Sequence, residues 1–254
     1  MSKMSVRGRR ARLTQLLVTE GCIRVGELAE TFGVTTETIR KDLIYLDEQG
    51  VVKKGHGNAT ASGGLLGRPL SERSVNNQNE KVVIAQRAVQ MIPGNAVVIL
   101  DAGSTTFNIA KLLLGREGLI IITNSMEIAQ ILSSSGNTVL SLGGEVSGIN
   151  MSLTGMWAKT ALKTIRADIA FLGTDGFAGR GGPCTTSYAE ADIKHAMIES
   201  STRTIVVGDS SKFSVSSLIE YGSWSEIDLF ITDASAPEER IEALRRHAKI
   251  ILAT

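Results

Sequence analysis

Along the first fifty residues the apolar positions repeat at helical spacing. Beyond residue 95 they condense into short, almost unbroken runs with helical stretches between them. Leu13, Leu16 and Leu17 share one face, with Arg9, Arg10 and Arg12 outside it. Val25, Leu28, Ala29 and Phe32 stand at i, i+3, i+4 and i+7 and predict a second helix, which Gly33 breaks. Thr35 and Thr36 are N-cap residues for a third helix. Ile39, Leu43 and Leu46 form its inner face, and Glu37, Arg40 and Lys41 stand outward. Gly50 ends that helix. Residues 51–58 combine strand formers, bases and turn glycines, which predicts a two-stranded wing.

Residues 59–79 are poor in apolar side chains and rich in Ser, Gly and Asn, and read as a linker between a head (1–58) and a body (80–254). The body predicts strands at 96–101, 118–123, 138–142, 168–173, 203–207, 228–232 and 249–252. Helices are expected at 126–132, 157–165, 188–199 and 237–247. Continuous Val/Ile/Leu strands alternating with helices imply a mostly parallel sheet covered on both faces. Such sheets bind ligands at the carboxyl ends of their strands, beside the topological switch.

Polar residues gather at those ends. The first strand runs into Asp101, Gly103, Ser104, Thr105 and Thr106, just before an amphipathic helix. A Gly/Ser/Thr turn opening a helix leaves backbone N–H groups and the positive end of the helix dipole free for a phosphate. Thr123 and Asn124, then Gly143 and Gly144, then Asp175, then Lys212 follow the next strands. Glycine admits close approach of the backbone, Asp and Asn bind sugar hydroxyls, and Lys supplies a point charge. Any one of these is an ordinary turn; five together describe a pocket.

Composition changes this picture little. The net charge of +1 gives no case for bulk attraction to nucleic acid or membrane. Residues 1–60 nevertheless carry ten Lys/Arg against seven acids, and four arginines fall between Arg7 and Arg12. Two distant cysteines, Cys22 and Cys184, point to reduced thiols, and three scattered histidines form no metal cluster. No apolar run approaches a membrane span, so a cytoplasmic protein without metal or cofactor is expected.

Two short helices joined by a glycine turn, the second opening with hydroxyls and bases, match helix-turn-helix grammar, although a plain three-helix bundle fits the pattern equally well. In the first reading Thr35, Thr36, Glu37, Thr38, Arg40 and Lys41 face base edges. Arg9, Arg10, Lys53, Lys54 and His56 meet the DNA backbone. The segment ELAETFGVTTETIRKDLIYLDEQGVVKKGHG resembles the winged helix-turn-helix of the DeoR/GlpR family of bacterial regulators. Leu28, Ala29, Phe32, Val34, Thr38, Ile39, Arg40, Asp42, Leu43, Leu46, Gly50, His56, Gly57 and Ala59 match its pattern. Thr35 stands for the usual Ser, Lys41 for a second Arg, and Asn58 for a wing glycine. Arg73, Asn79 and Lys81 approximately fill an arginine, asparagine and lysine pattern that precedes the body.

The resemblance continues through LDAGSTT, TNS, LGGE, ADIAFLGTDG, YAEADIKHAM and DSSKF, which look like the family's sensor domain, a fold similar to ribose-5-phosphate isomerase and glucosamine-6-phosphate deaminase. It implies that Asp101, Gly103, Ser104, Thr105 and Thr106 cradle a ligand. Thr123, Asn124, Gly143, Gly144, Asp175, Glu190, Lys194 and Lys212 would line the rest. Residues 184–188 depart from it, since relatives often have an asparagine there. The function implied is a homo-oligomeric repressor of a carbohydrate-utilisation operon, held on double-stranded operator DNA and released by a phosphorylated sugar. Two alternatives are a sugar-phosphate isomerase or deaminase with an appended head, and a DNA-architectural protein whose body only oligomerises. The first needs a carboxylate base, for which Asp101, Asp175 and Glu190 offer themselves, but no histidine falls at a strand end.

Overall fold

The computed structural model describes residues 6–20, 22–48, 52–54, 58–61 and 70–254, and the chain divides into two compact units, Met1–Pro69 and Leu70–Thr254. In the first unit, α1 (Val6–Glu20), α2 (Val25–Phe32) and α3 (Thr36–Glu48) enclose a core of Leu13, Leu17, Leu28, Ile39 and Leu43, all fully buried. These are the positions that the helical spacing put inside. Gly33 ends α2 in the left-handed region (φ 61°), and its N–H is bonded back to Ala29 and Glu30. The Thr35 hydroxyl accepts the N–H of Thr38 at 3.2 Å and so caps α3.

The expected two-stranded wing has a third member. β1 (Cys22–Arg24) pairs antiparallel with β3 (Asn58–Ala61), which in turn pairs with β2 (Val52–Lys54). Three residues of strand have no periodicity of their own; only the pairing makes β1 a strand. The stretch expected as a linker also carries structure at both ends. Ala59 to Ala61 belong to β3, while α4 (Leu70–Val75) and the start of α5 (Gln78–Val89) belong to the second unit.

The second unit follows the expected alternation: β4 (Val97–Leu100), α6 (Ser104–Leu113), β5 (Ile120–Thr123), α7 (Met126–Leu132) and β6 (Thr138–Ser141). A hairpin of β7 (Glu145–Ser147) and β8 (Ser152–Thr154) follows, then α8 (Met156–Lys163) and β9 (Ile169–Gly173). After these come β10 (Cys184–Thr185), α9 (Tyr188–Glu199), β11 (Thr204–Val207), β12 (Ile219–Glu220), β13 (Leu229–Asp233), α10 (Glu238–Arg245) and β14 (Ile250–Ala253). Seven strands form one wholly parallel sheet in the order β14-β13-β11-β9-β4-β5-β6.

Alternate strand residues feed two cores. Ile99, Ala170, Leu172, Val206 and Phe230 pack with α8, α9 and α10; Val98, Leu100, Ile121, Phe171 and Ile205 pack with α5, α6 and α7. The chain winds outward from β4 to β6, then returns to β9 and winds the other way. The topological switch therefore lies between β4 and β9. Phe177, Phe213, Trp224 and Phe230 meet edge to face or tilted, Phe177 and Phe213 at 5.0 Å between centroids. Phe177 follows Asp175 by two residues and Phe213 follows Lys212 by one, so this aromatic contact fixes the loops that carry both polar groups.

Candidate functional site

In the head, the outward residues of α3 face solvent. Thr36, Glu37, Arg40 and Lys41 are exposed, as is Thr35, while Thr38 is half-buried. Arg40 lies 3.7 Å from Glu37 in a solvent-facing pair, a contact weak enough to exchange for a base edge or phosphate. Arg9 and Arg10 do not behave as expected. Their Nε atoms donate to the two carboxylate oxygens of Asp42, at 2.6 and 2.8 Å, and Arg10 also lies over the Tyr45 ring. Asp42 is buried, and without these partners it would be an unpaired interior charge. Through their Nε atoms the two arginines clamp α1 to α3. Lys53 and Lys54 lie on β2, and His56 is outside the described residues.

In the body a small, narrow cleft of about 30 Å³ opens at the switch point. Asp101 follows β4, and its N–H donates to Phe171 on β9 at 3.1 Å. Its carboxylate accepts the N–H of Gly173 at 3.0 Å and the ammonium of Lys194. Next, the N–H of Ala102 donates to the Asn124 side chain at 2.8 Å, which ties the turn after β4 to the end of β5. Gly103 occupies the N-cap of α6 and offers no side-chain acceptor, so the first turn of this helix presents its N–H groups to the cleft at Ser104 and Thr105.

Asp101, Gly103, Ser104, Thr105, Asn124, Asp175, Glu190, Lys194 and Lys212 thus come together as expected. Four others do not. The Thr106 hydroxyl is buried and donates to the Gly103 carbonyl at 2.9 Å. That of Thr123 donates to the Leu100 carbonyl at 2.6 Å and accepts from the Ser125 N–H. Gly143 lies beside Trp157, and Gly144 has φ 131° with the Thr154 carbonyl so close that a Cβ would overlap it. All four build the framework and do not line the cleft.

Five further polar side chains line the cleft beyond the set expected to hold the ligand: Arg73, Asn150, Ser152, Thr174 and Thr185. Arg73 comes from α4, in the supposed linker, and reaches Asp175 at 3.2 Å and Asn150. The arginine, asparagine and lysine pattern was the available signal. Its lysine, Lys81, is buried and donates to the carbonyls of Arg73 and Asn76. Asn77, just before α5, donates to Asp209 at 2.7 Å. Asn150 sits in the β7–β8 turn, where Met151 has φ 48°. The Asn150 amide donates to Glu190.

Three carboxylates (Asp101, Asp175, Glu190) and three cations (Arg73, Lys194, Lys212) line the cleft, so attraction for an anion comes from the α6 terminus and Lys212 and not from net charge. Burial lowers Lys81 to about 8, against the opposing pull of Asp209. Burial pushes Asp209 up, but Lys212 and hydrogen bonds from Ser211 and Asn77 together hold it below the ordinary carboxylate value. Burial, reinforced by Asp101 and Asp175, pushes the Tyr221 phenol well up, which keeps its hydroxyl a donor to the Gly173 carbonyl at 2.8 Å. Among the described residues, no group of three or more His, Cys, Asp or Glu is placed to hold a metal, and no helix is long and apolar enough to cross a membrane.

A winged helix-turn-helix joined to a parallel α/β unit with a polar cleft at its switch point defines a ligand-responsive DNA-binding transcriptional regulator. The chain belongs to the DeoR family: the DeoR-like helix-turn-helix domain matches residues 9–62, and the DeoR C-terminal sensor domain matches residues 76–234. It is similar to the transcriptional repressor AccR of Agrobacterium fabrum, 34% identical over 91% of this chain and 90% of the relative. It is also similar to the glycerol-3-phosphate regulon repressor of Escherichia coli K12, 30% identical over 92% and 94%. Among solved structures, ribose 5-phosphate isomerase A of Methanocaldococcus jannaschii aligns over 54% of this chain and 55% of that one at 18% identity and a TM-score of 0.38, too slight a likeness to carry an argument. Family membership makes the protein a regulator and sets the isomerase or deaminase alternative aside.

Proposed function

We propose that the protein represses a carbohydrate-utilisation operon and leaves its operator when a phosphorylated sugar occupies the cleft. The observation that carries this reading is the uncapped start of α6 at Ser104 and Thr105, with Lys212 in the same cleft as a hydroxyl-binding set of Asp175, Asn150 and Glu190. The phosphate sits on the backbone N–H groups and Lys212, and the sugar hydroxyls meet the carboxylates and amide. Thr35, Thr36, Glu37, Thr38, Arg40 and Lys41 read the operator from α3, with Lys53, Lys54 and His56 on its phosphates. Relatives named as repressors support the direction of control. The protein works in the cytoplasm as a homo-oligomer. Met156, Trp157 and Tyr188, each at least three-quarters exposed at the starts of α8 and α9, supply an apolar surface for that association.

The test is an operator-binding titration at fixed salt against glycerol 3-phosphate and a panel of pentose, hexose and amino-hexose phosphates, with a thermal shift on the same samples. One compound is expected to raise the melting temperature and weaken operator binding together. No response to any phosphorylated sugar would favour an architectural protein.

A further inference from the structure

We propose that Arg73 carries effector occupancy from the cleft to the DNA-binding head. In the effector-free state it ties α4 to Asp175 and Asn150; a polyol phosphate takes those partners and releases α4. This rests on the reading of the cleft as an effector site. Helix α4 is the first element of the sensor unit, and residues 62–69 join it to the head in sequence. Six residues are too few for a helix to hold by itself, so α4 depends on its attachments. The Leu70 N–H donates to the Ile149 carbonyl at 3.0 Å, in the turn that also carries Asn150. The Arg73 guanidinium donates to Asp175 Oδ1 at 3.2 Å and to the Asn150 side chain. At the other end Lys81 binds the Arg73 and Asn76 carbonyls.

Those partners close into a hydrogen-bonded ring. Asn150 donates to Glu190 Oε1. The Thr185 hydroxyl lies 2.9 Å from Glu190 Oε2 and 3.2 Å from Asp175 Oδ2 and has one proton for the two, and the Thr186 hydroxyl, 3.3 Å from Glu190 Oε2, supplies a second. Two more atoms in the same wall are buried without a partner: Arg73 Nε and Ser152 Oγ. Orphans of this kind are rare in a native interior and leave two polar atoms of this wall open to a partner. A spare guanidinium N–H and a spare hydroxyl, beside carboxylates that can each accept more, fit the hydroxyls of a sugar, each of which donates and accepts. The ligand that satisfies them competes for the groups that hold Arg73. Occupancy and the attachment of α4 are then alternatives, which is what a linked switch requires.

The full-length protein and its Arg73→Gln, Arg73→Lys, Asp175→Asn and Arg73→Gln/Asp175→Asn variants test this. The DNA probe is the tightest duplex that the wild type selects from a random pool. The effector probes are ribose 5-phosphate, fructose 6-phosphate, glucosamine 6-phosphate and glycerol 3-phosphate, each taken to saturation. Hydrogen exchange over residues 70–77 is followed in parallel. In the wild type the compound that binds is expected to speed exchange at 70–77 and weaken operator binding by about 5–150-fold. Arg73→Gln and Asp175→Asn exchange fast there without ligand and bind the operator more weakly. Saturating ligand then changes their operator affinity less than about twofold, whatever concentration saturation needs. The double variant is no worse than either single, because one ion pair has been broken in all three. Arg73→Lys, which keeps the charge and loses the fork, falls between. An Arg73→Gln protein that releases operator with wild-type amplitude at saturation overturns the proposal. So do ligand-free variants with wild-type operator affinity. If no compound binds the wild type, the effector reading fails, and the ligand-free arm still judges the tie between Arg73 and the head.

Discussion

Lys194 and Asp101 form a buried ion pair at the topological switch, where the ammonium of α9 meets the carboxylate at the end of β4 and also donates to the Gly173 carbonyl at 3.0 Å. Asp101 therefore holds β4, β9 and α9 together before any ligand arrives. Asp101→Ala is expected to leave a buried, unpaired ammonium and to lose about 3–5 kcal/mol of unfolding free energy. Replacing both partners with apolar residues, Asp101→Leu with Lys194→Met, should lose less than Asp101→Ala alone. Urea unfolding of the three proteins checks this; an Asp101→Ala protein of wild-type stability that has only lost its effector response would restore Asp101 to a purely ligand-binding role.

Arg40 and Asp42 stand two residues apart on α3 and have opposite duties. Arg40 is exposed and Asp42 is buried under Arg9 and Arg10. Arg40→Ala should weaken operator binding by about 1–3 kcal/mol and leave the melting of the head unchanged. Asp42→Ala should lower head stability, with the loss of operator binding following from unfolding. Titrations across a salt series, with circular dichroism on the same samples, separate the two. Equal loss of stability in both variants would remove Arg40 from the DNA face.

Lys81 gives a pH dependence with a definite sign. The unfolded chain keeps this proton up to 10.5, whereas the native protein gives it up at about 8. Between those values the unfolded state binds more protons, so the Lys81 contribution to unfolding free energy rises with pH. Neutral Lys81 still donates to the Arg73 and Asn76 carbonyls. Comparing wild type with Lys81→Met in urea at pH 7.5, 9 and 10 should show the difference moving in favour of the wild type as pH rises. A difference moving the other way would mean that attraction to Asp209 outweighs burial.

The strands of the sensor unit could be located in advance because their signal is local: Val97–Leu100 is apolar at every position, as a strand covered on both faces is. The polar strand ends followed from the same reading. What stayed hidden depends on partners distant in sequence. The pairing of Arg9 and Arg10 with Asp42, more than thirty residues on, has no local signal. Arg73 sits in six residues with too little length for periodicity. Asn150 enters the cleft through a turn whose left-handed Met151 no local rule demands. Thr106 and Thr123 have the chemistry of ligand groups, and only the Gly103 and Leu100 carbonyls beside them show that their hydroxyls are already engaged.

Gly144 separates the framework of the cleft from its ligand groups. At φ 131° it lies in a region that L side chains rarely adopt, and a Cβ there would sit 2.1 Å from the Thr154 carbonyl. That carbonyl belongs to β8, which pairs with β7 and carries Ser152; the turn between them carries Asn150. Gly144→Ala must therefore push the hairpin away from its place. The seven-stranded sheet does not include β7 or β8, so the main cores survive. The expected result is a folded protein, destabilised by about 1–3 kcal/mol, whose affinity for the effector falls at least tenfold while the α6 terminus and Lys212 remain in place. Calorimetric titration with the activating sugar phosphate, beside inorganic phosphate, reads this directly. Sugar phosphate binding should fall and inorganic phosphate binding should hold, because only the hydroxyl-binding wall has moved. Equal losses for both ligands would place the phosphate against the hairpin and reverse the orientation proposed for the effector.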